Sequence, residues 1–190
     1  MKAHIIEPEH YKLIFTKMLR DFLPNELPPL PNMKKNFSRN LWRGYFFTDS
    51  NIFVGYAIVA APPDIPFALI SYLAVEPSAR SKGYGSYILN YLSEEYASYD
   101  LLVEVHDPFF AKTEQENMQC NRRIAFYESN GFHLLPTKKV VYFGIPMRIM
   151  IQRPDFIPDV AAMIHGIYSA SMPPKLLEHI IIENSPAQEE

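Results

Sequence analysis

One junction constrains the fold of this chain more than any other feature. The apolar run Phe67 to Val75 stops at Glu76-Pro77. The chain then passes through Ser78-Ala79-Arg80-Ser81-Lys82 into Gly83-Tyr84-Gly85. Beyond the glycines, Ile88, Leu89, Leu92 and Tyr96 recur at helical spacing. A second apolar run, Asp100 to Val105, follows directly. Strand, helix and strand in this order make a parallel crossover, so the chain must build a sheet with helical cover. The two junction glycines carry weight because the chain has only seven. Glycine tolerates positive φ and lets a ligand or another backbone approach closely.

The flanking segments extend the sheet. Residues 43–49 and 52–60 read as an antiparallel hairpin turning at Ser50-Asn51, and the Pro62-Pro63-Asp64 turn separates them from the 67–75 strand. Upstream, Tyr11, Ile14, Phe15, Met18, Leu19 and Phe22 predict one amphipathic helix within 8–23. Pro24, Pro28, Pro29 and Pro31 then forbid helix, and a short second helix is expected from Asn32 to about Leu41. Helical pattern resumes over Asn121–Asn130 and ends at Gly131, a natural C-cap. Strands are expected at 132–135, 140–143 and 148–151. The fold class is therefore α/β, in the α+β sense of a mixed sheet.

The tail has its own character. Val160, Met163, Ile164, Ile167 and Tyr168 form a helical stripe, and Leu176, Leu177, Ile180 and Ile181 predict a second helix after Pro173-Pro174. Residues 1–151 are expected to form one domain. Residues 152–190 then form a C-terminal helical extension whose apolar faces need cover, from that domain or from a second copy in a homodimer. Ser185 to Glu190 is expected to lack order.

Composition removes several function classes. Lys and Arg number 18 against 21 Asp and Glu, a net charge of −3, so no basic surface points to nucleic acid. A single Cys120 excludes a disulfide framework or a cysteine-rich zinc site, and the six histidines show no ligand spacing, so no metal is expected. Glu7, Glu9 and Lys12 break the N-terminal apolar residues, so no signal-peptide core is expected. No apolar run reaches the ~20 residues of a membrane span. The composition fits a cytoplasmic protein.

The junction also has chemistry. A helix start presents unpaired N–H groups and the positive end of its dipole. Glycines there let a phosphate reach the backbone, and Arg80 and Lys82 add charge. A tight turn with two solvated cations accounts for the same residues. The segment is not a Walker loop, and Ile88 breaks GxGxxG.

Arg80-Ser-Lys-Gly83-Tyr-Gly85 after Leu73-Ala-Val-Glu-Pro77 resembles the R/Q-x-x-G-x-G/A acyl-CoA-binding motif of the GNAT (GCN5-related N-acetyltransferase) superfamily. Arg123-Ile-Ala-Phe-Tyr127-Glu-Ser-Asn-Gly131-Phe132 resembles its second hallmark, a helix with a tyrosine leading into Gly-Phe. The resemblance spans residues 1 to about 151. It implies a sheet splayed between the 67–75 and 99–105 strands and acetyl-CoA as co-substrate. Pantetheine would lie along Leu73 and Val75, and pyrophosphate on the N–H groups of Ser81, Lys82, Gly83, Tyr84, Gly85 and Ser86, beside Arg80. The implied activity is transfer of an acetyl group to a primary amine, on a small molecule or a peptide. The alternative is a non-catalytic acyl-CoA-binding or interaction module on the same fold.

The resemblance also implies two catalytic residues. Tyr127 aligns with the family tyrosine near the CoA sulfur, and its ordinary pKa of about 10 suits a thiolate leaving group. Glu104, in the apolar strand Leu101-Leu-Val-Glu-Val105, is the base; a carboxylate there is costly unless paired or facing a cleft. A base position on the preceding strand is held by Ser71-Tyr72. A family asparagine seven residues before the tyrosine is replaced by Cys120. The 106–119 insertion reads as a surface loop, with part of an acceptor site as the alternative, and Trp42 as a packing residue.

Overall fold

The structure is a computed structural model describing residues 1–152 and 159–184. The core is one mixed sheet. β1 (Lys2–Ile5), β2 (Trp42–Asp49), β3 (Ile52–Ala60) and β4 (Phe67–Val75) pair antiparallel in sequence. β5 (Asp100–His106) joins β4 in parallel, the one crossover the junction required. β6 (His133–Leu134), β7 (Thr137–Tyr142), β8 (Ile145–Ile151) and β9 (Ile180–Asn184) complete the order β1-β2-β3-β4-β5-β8-β7-β9, with β6 on β8.

Helices cover both faces. α1 (Tyr11–Asp21), α2 (Leu30–Ser38) and α5 (Val160–Ser171) pack on one face through Met18, Phe37, Ile164 and Ile167, against Ile58, Leu69, Leu102 and Ile149. α3 (Tyr84–Glu95) and α4 (Glu114–Glu128) pack on the other through Ile88, Leu92, Ile124 and Tyr127, against Ala57, Ile70, Val103 and Val105. Successive strand residues point to opposite faces. That alternation sends Leu102 and Glu104 of β5 toward α5 and Val103 and Val105 toward α4. Among the described residues no helix is long and apolar enough to cross a membrane.

The sheet opens at its centre. β4 and β5 pair only from Phe67↔Asp100 to Ile70↔Val103. At that point β4 carries a bulge: Ile58 faces Tyr72 while Val59 faces Ile70, leaving Ser71 extra. A bulge bends its strand and re-aims the side chains beyond it. Here it turns Tyr72 onto the face of α1, α2 and α5 and leaves the 71–75 edge of β4 unpaired toward β5.

Several expectations are corrected. β1 carries no strong strand signal; it forms because β2 offers an open edge. α4 begins at Glu114 rather than Asn121, with Thr113 accepting from the Glu116 N–H at 3.1 Å. Its first turns face solvent and show no apolar stripe, so the 114–119 part of the supposed 106–119 loop is helix. The second tail helix shrinks to α6 (Pro174–Leu177), and Ile180 and Ile181 lie in β9, antiparallel to β7. The β-branched run Ile180-Ile181-Ile182 suits a strand, and β7 supplies the partner. The 185–190 segment and residues 153–158 of the expected extension lie outside the described residues.

Candidate active site

The 76–86 loop is anchored at its start. Glu76 accepts from Lys17 and, at 2.9 Å, from Arg20 Nη1. Burial would raise its pKa, but the two cations hold it below the usual carboxylate value. After a turn at Pro77–Ala79, Ser81 (φ 61°) and Gly83 (φ 82°) both take the left-handed conformation. Gly83 caps α3 with no side chain. Among the described residues, none offers an acceptor to the backbone N–H groups of Ser81, Lys82, Gly83, Tyr84, Gly85 or Ser86. A Cβ at Gly83 would meet nothing within 4 Å, whereas one at Gly85 would lie 2.9 Å from the Phe126 ring. The two glycines therefore differ: Gly83 keeps the loop open outward, and Gly85 lets α3 approach α4. Tyr84 is tied back to the β2–β3 turn by donating to Asp49 at 2.8 Å. Both cations fold onto the loop itself, Arg80 Nε donating to the Val75 carbonyl (3.2 Å) and Lys82 Nζ to the Ser78 carbonyl (3.0 Å). Of the expected pantetheine contacts, Leu73 lies on the unpaired edge and Val75 already has the Arg80 partner.

Glu104 lies just beyond the last β4–β5 pair. The Tyr168 hydroxyl donates to its Oε2 at 2.5 Å. Burial pushes the carboxyl up to about 7, against the lowering effect of that hydrogen bond. Glu104 keeps part of its surface open, onto a cavity of about 400 Å³. Phe22, Trp42, Tyr72, Tyr142 and Tyr168 wall this cavity. Ser71, the bulged residue, lines it too, so the bulge and the carboxylate meet at the split.

A second cavity of about 620 Å³ adjoins the first, with Phe22, Asn25, Glu26 and Arg123 lining both. His106 lines it and bonds Glu26 at 2.7 Å. Burial alone would raise the Glu26 carboxyl; His106 and the Leu23 N–H bring it below its ordinary value. Phe110, Lys112, Glu116 and Gln119 from the 106–119 insertion line this cavity, as does Cys120. Burial raises the Cys120 thiol, which argues against a thiolate nucleophile.

Tyr127 is placed differently. Its ring sits on the α3/α4 face, 5.5 Å from Phe132 and 5.2 Å from Phe126. Burial pushes its hydroxyl up to about 12. It lines neither cavity, so the structure does not bring it and Glu104 into one chamber. Tyr168 and the Ser71 bulge are the participants that sequence reasoning missed. Tyr168 was legible only as one member of a helical stripe. Among the described residues no three His, Cys, Asp or Glu side chains converge as a metal site.

Comparison with known proteins agrees with this architecture. Residues 42–134 match the sequence profile of the acetyltransferase (GNAT) domain. The chain has the GNAT fold, and residues 42–134 carry the sequence pattern of that acetyltransferase domain. A GNAT-family protein from Bacteroides thetaiotaomicron superposes with a TM-score of 0.73 at 22% identity, over 89% of this chain and 97% of that one. An aminoglycoside 6'-N-acetyltransferase complexed with coenzyme A gives 0.59 at 18% identity, over 84% and 100%. A spermidine N-acetyltransferase from Vibrio cholerae, in complex with CoA and spermine, gives 0.59 at 12% identity, over 79% and 93%. At these identities the likeness establishes the fold. A search of curated proteins finds no match.

Proposed function

We propose that this protein moves an acetyl group from acetyl-CoA directly to the primary amine of a small acceptor. The observation that carries the reading is Glu104, a carboxylate with a pKa near neutrality, facing a cavity where the sheet splits. An amine attacks a thioester only after losing its ammonium proton, and a base poised near 7 suits that task. Glu104 takes the proton, and Tyr168 holds the carboxylate in place through Oε2.

The residues at the split suit CoA. The acceptor-free N–H groups of residues 81–86 fit a pyrophosphate, and the unpaired 71–75 edge of β4 fits an amide-bearing arm added like a strand. Displacing Arg80 from the Val75 carbonyl would free both that carbonyl and a guanidinium for the phosphates. Tyr127 keeps its proton at neutral pH and serves as donor to the departing sulfur, provided the sulfur lies at the split between the two faces.

Calorimetric titration with acetyl-CoA, and with ADP as control, tests the cofactor. The expected result is acetyl-CoA binding well above ADP, followed by thiol release when amines are added. Binding without thiol release for any amine would favour the non-catalytic module. No binding would make the 80–86 loop a structural turn and end the enzyme reading.

A further inference from the structure

The acceptor cavity is more specific than a general amine site. Resting on the acetyltransferase reading above, we infer that its acceptor is a compact monoamine with a flat apolar body and a neutral hydrogen-bonding oxygen at the end away from the amine.

Size comes first. About 400 Å³ lies within the ordinary range of small-molecule sites. The cavity is bounded by the Pro28-Pro29 segment and by Met172, Pro173 and Leu176 of the tail. These segments wall one end of the chamber, and the other end opens onto the 620 Å³ cavity through Phe22, Asn25, Glu26 and Arg123.

Charge comes next. A polyamine or an aminoglycoside carries several ammonium groups and calls for several free carboxylates. Glu104 and Glu26 are the acidic side chains among the lining residues, and Glu26 is engaged by His106 at 2.7 Å. Arg123 adds a positive charge to the same lining. Within this cavity one carboxylate therefore remains for one amine.

The walls choose the body. Phe22 meets Tyr72 edge-on at 5.1 Å, Trp42 meets Tyr72 at 5.9 Å, and Tyr142 meets Tyr168 at 5.4 Å. Such faces and edges suit another flat ring.

The distal group follows from two buried polar side chains. Trp42 is only 6% exposed, and its Nε1–H has no partner. Asn36 is 4% exposed, and its amide lies on the same lining. A buried donor left unpaired, as Trp42 Nε1 is, is costly, and both side chains line this cavity. The turn closed by the Leu41 N–H on the Asn36 carbonyl (3.0 Å) brings them to the same wall. Trp42, Ala60, Leu69 and Leu102 form one row across the sheet, and Glu104 stands two residues past Leu102. Three strand steps and two residues along β5 put the Trp42 and Glu104 backbones about 16 Å apart. A ring with a short aminoalkyl arm, added to the reach of the two side chains, spans that gap.

The chain has a single tryptophan, Trp42, so tryptophan emission reports on this cavity directly. The experiment titrates tyramine, 2-phenylethylamine and spermidine into the protein with CoA present, and measures thiol release from acetyl-CoA in parallel. Tyramine should saturate the signal about tenfold tighter than 2-phenylethylamine, the value of one good hydrogen bond. Spermidine should give no saturable change. Asn36→Leu, checked by its melting temperature, should shrink the tyramine advantage to about twofold. Tighter binding or faster acetylation of spermidine would overturn the inference while leaving acetyl transfer intact. Equal affinities for the two aromatic amines would remove the distal oxygen, and no binding of either would overturn the whole proposal. Aromatic binding without thiol release would keep the ligand class and end the transferase reading.

Discussion

The proposed phosphate cradle and the proposed acceptor cavity both border the split in the sheet, yet they are built in opposite ways. The cradle is one continuous segment, Glu76 to Ser86, shaped by two left-handed residues and a helix start. The cavity is assembled from parts far apart in sequence: the proline segment, α2, the start of β2, both central strands and the tail. A nucleotide tail is the same molecule for every acyl-CoA protein, so a short local motif can hold it. An acceptor differs from protein to protein, and its chamber is set by long-range packing. The two regions should therefore fail separately when mutated.

The largest effect is expected at Glu104. Glu104→Gln should lower acetyl transfer by about 10²–10⁴-fold, the usual worth of a general base, with acetyl-CoA affinity unchanged. Loss of both together would mean that the regions are not separable.

Gly83→Val should act on the other side. The left-handed φ of 82° strains any branched residue, and the side chain would fill the open space in front of the cradle. Acetyl-CoA affinity should fall at least about tenfold, while amine-induced emission from Trp42 is retained. A melting curve separates lost affinity from lost fold. Retained affinity would place the pyrophosphate elsewhere.

Tyr127→Phe should reduce kcat by less than Glu104→Gln does, at constant acetyl-CoA affinity. Unchanged turnover would leave Tyr127 as a packing residue against Phe132.

The smallest effect concerns Tyr168. Its hydroxyl stabilises the Glu104 carboxylate, so Tyr168→Phe should raise the Glu104 pKa and shift the acidic limb of the rate profile to higher pH, with the plateau kept. Folding stability provides a parallel reading. The folded pKa of Glu104 lies above its ordinary value, so the contribution is full below about 4.5 and is lost as pH rises through about 7. Glu104→Gln should flatten that window, worth at most roughly 3 kcal/mol. An unchanged stability profile would mean that the carboxyl is not perturbed.

The contrast between the regions also explains what the sequence reveals. β2 to β5 and α3 were legible because their apolar residues keep a period of two or 3.6, with Pro and Gly marking the ends. The cradle was legible because it is contiguous. Glu104 stood out as a charge inside an apolar strand. The Ser71 bulge has no composition signal, since an extra residue shows only when paired with β3, and without it Tyr72 would face the wrong layer. Tyr168 lies 64 residues from Glu104, and no local pattern joins them. Trp42 reads as a packing residue and does pack, against Phe37 at 6.2 Å; only in the folded chain is its Nε1 seen to be buried and unpaired. The Ile180–Asn184 strand was misread because helix and strand compete over short apolar runs, and the open edge of β7 decides between them.

The central claim is that Glu104 is the base of acetyl transfer. Its most direct test is the pH dependence of kcat/KM for wild type and Glu104→Gln, measured by thiol release at saturating acetyl-CoA. The account predicts an acidic limb with an apparent pKa of about 7 in the wild type, absent from the low residual rate of the variant. Matching profiles and rates in the two proteins would contradict it.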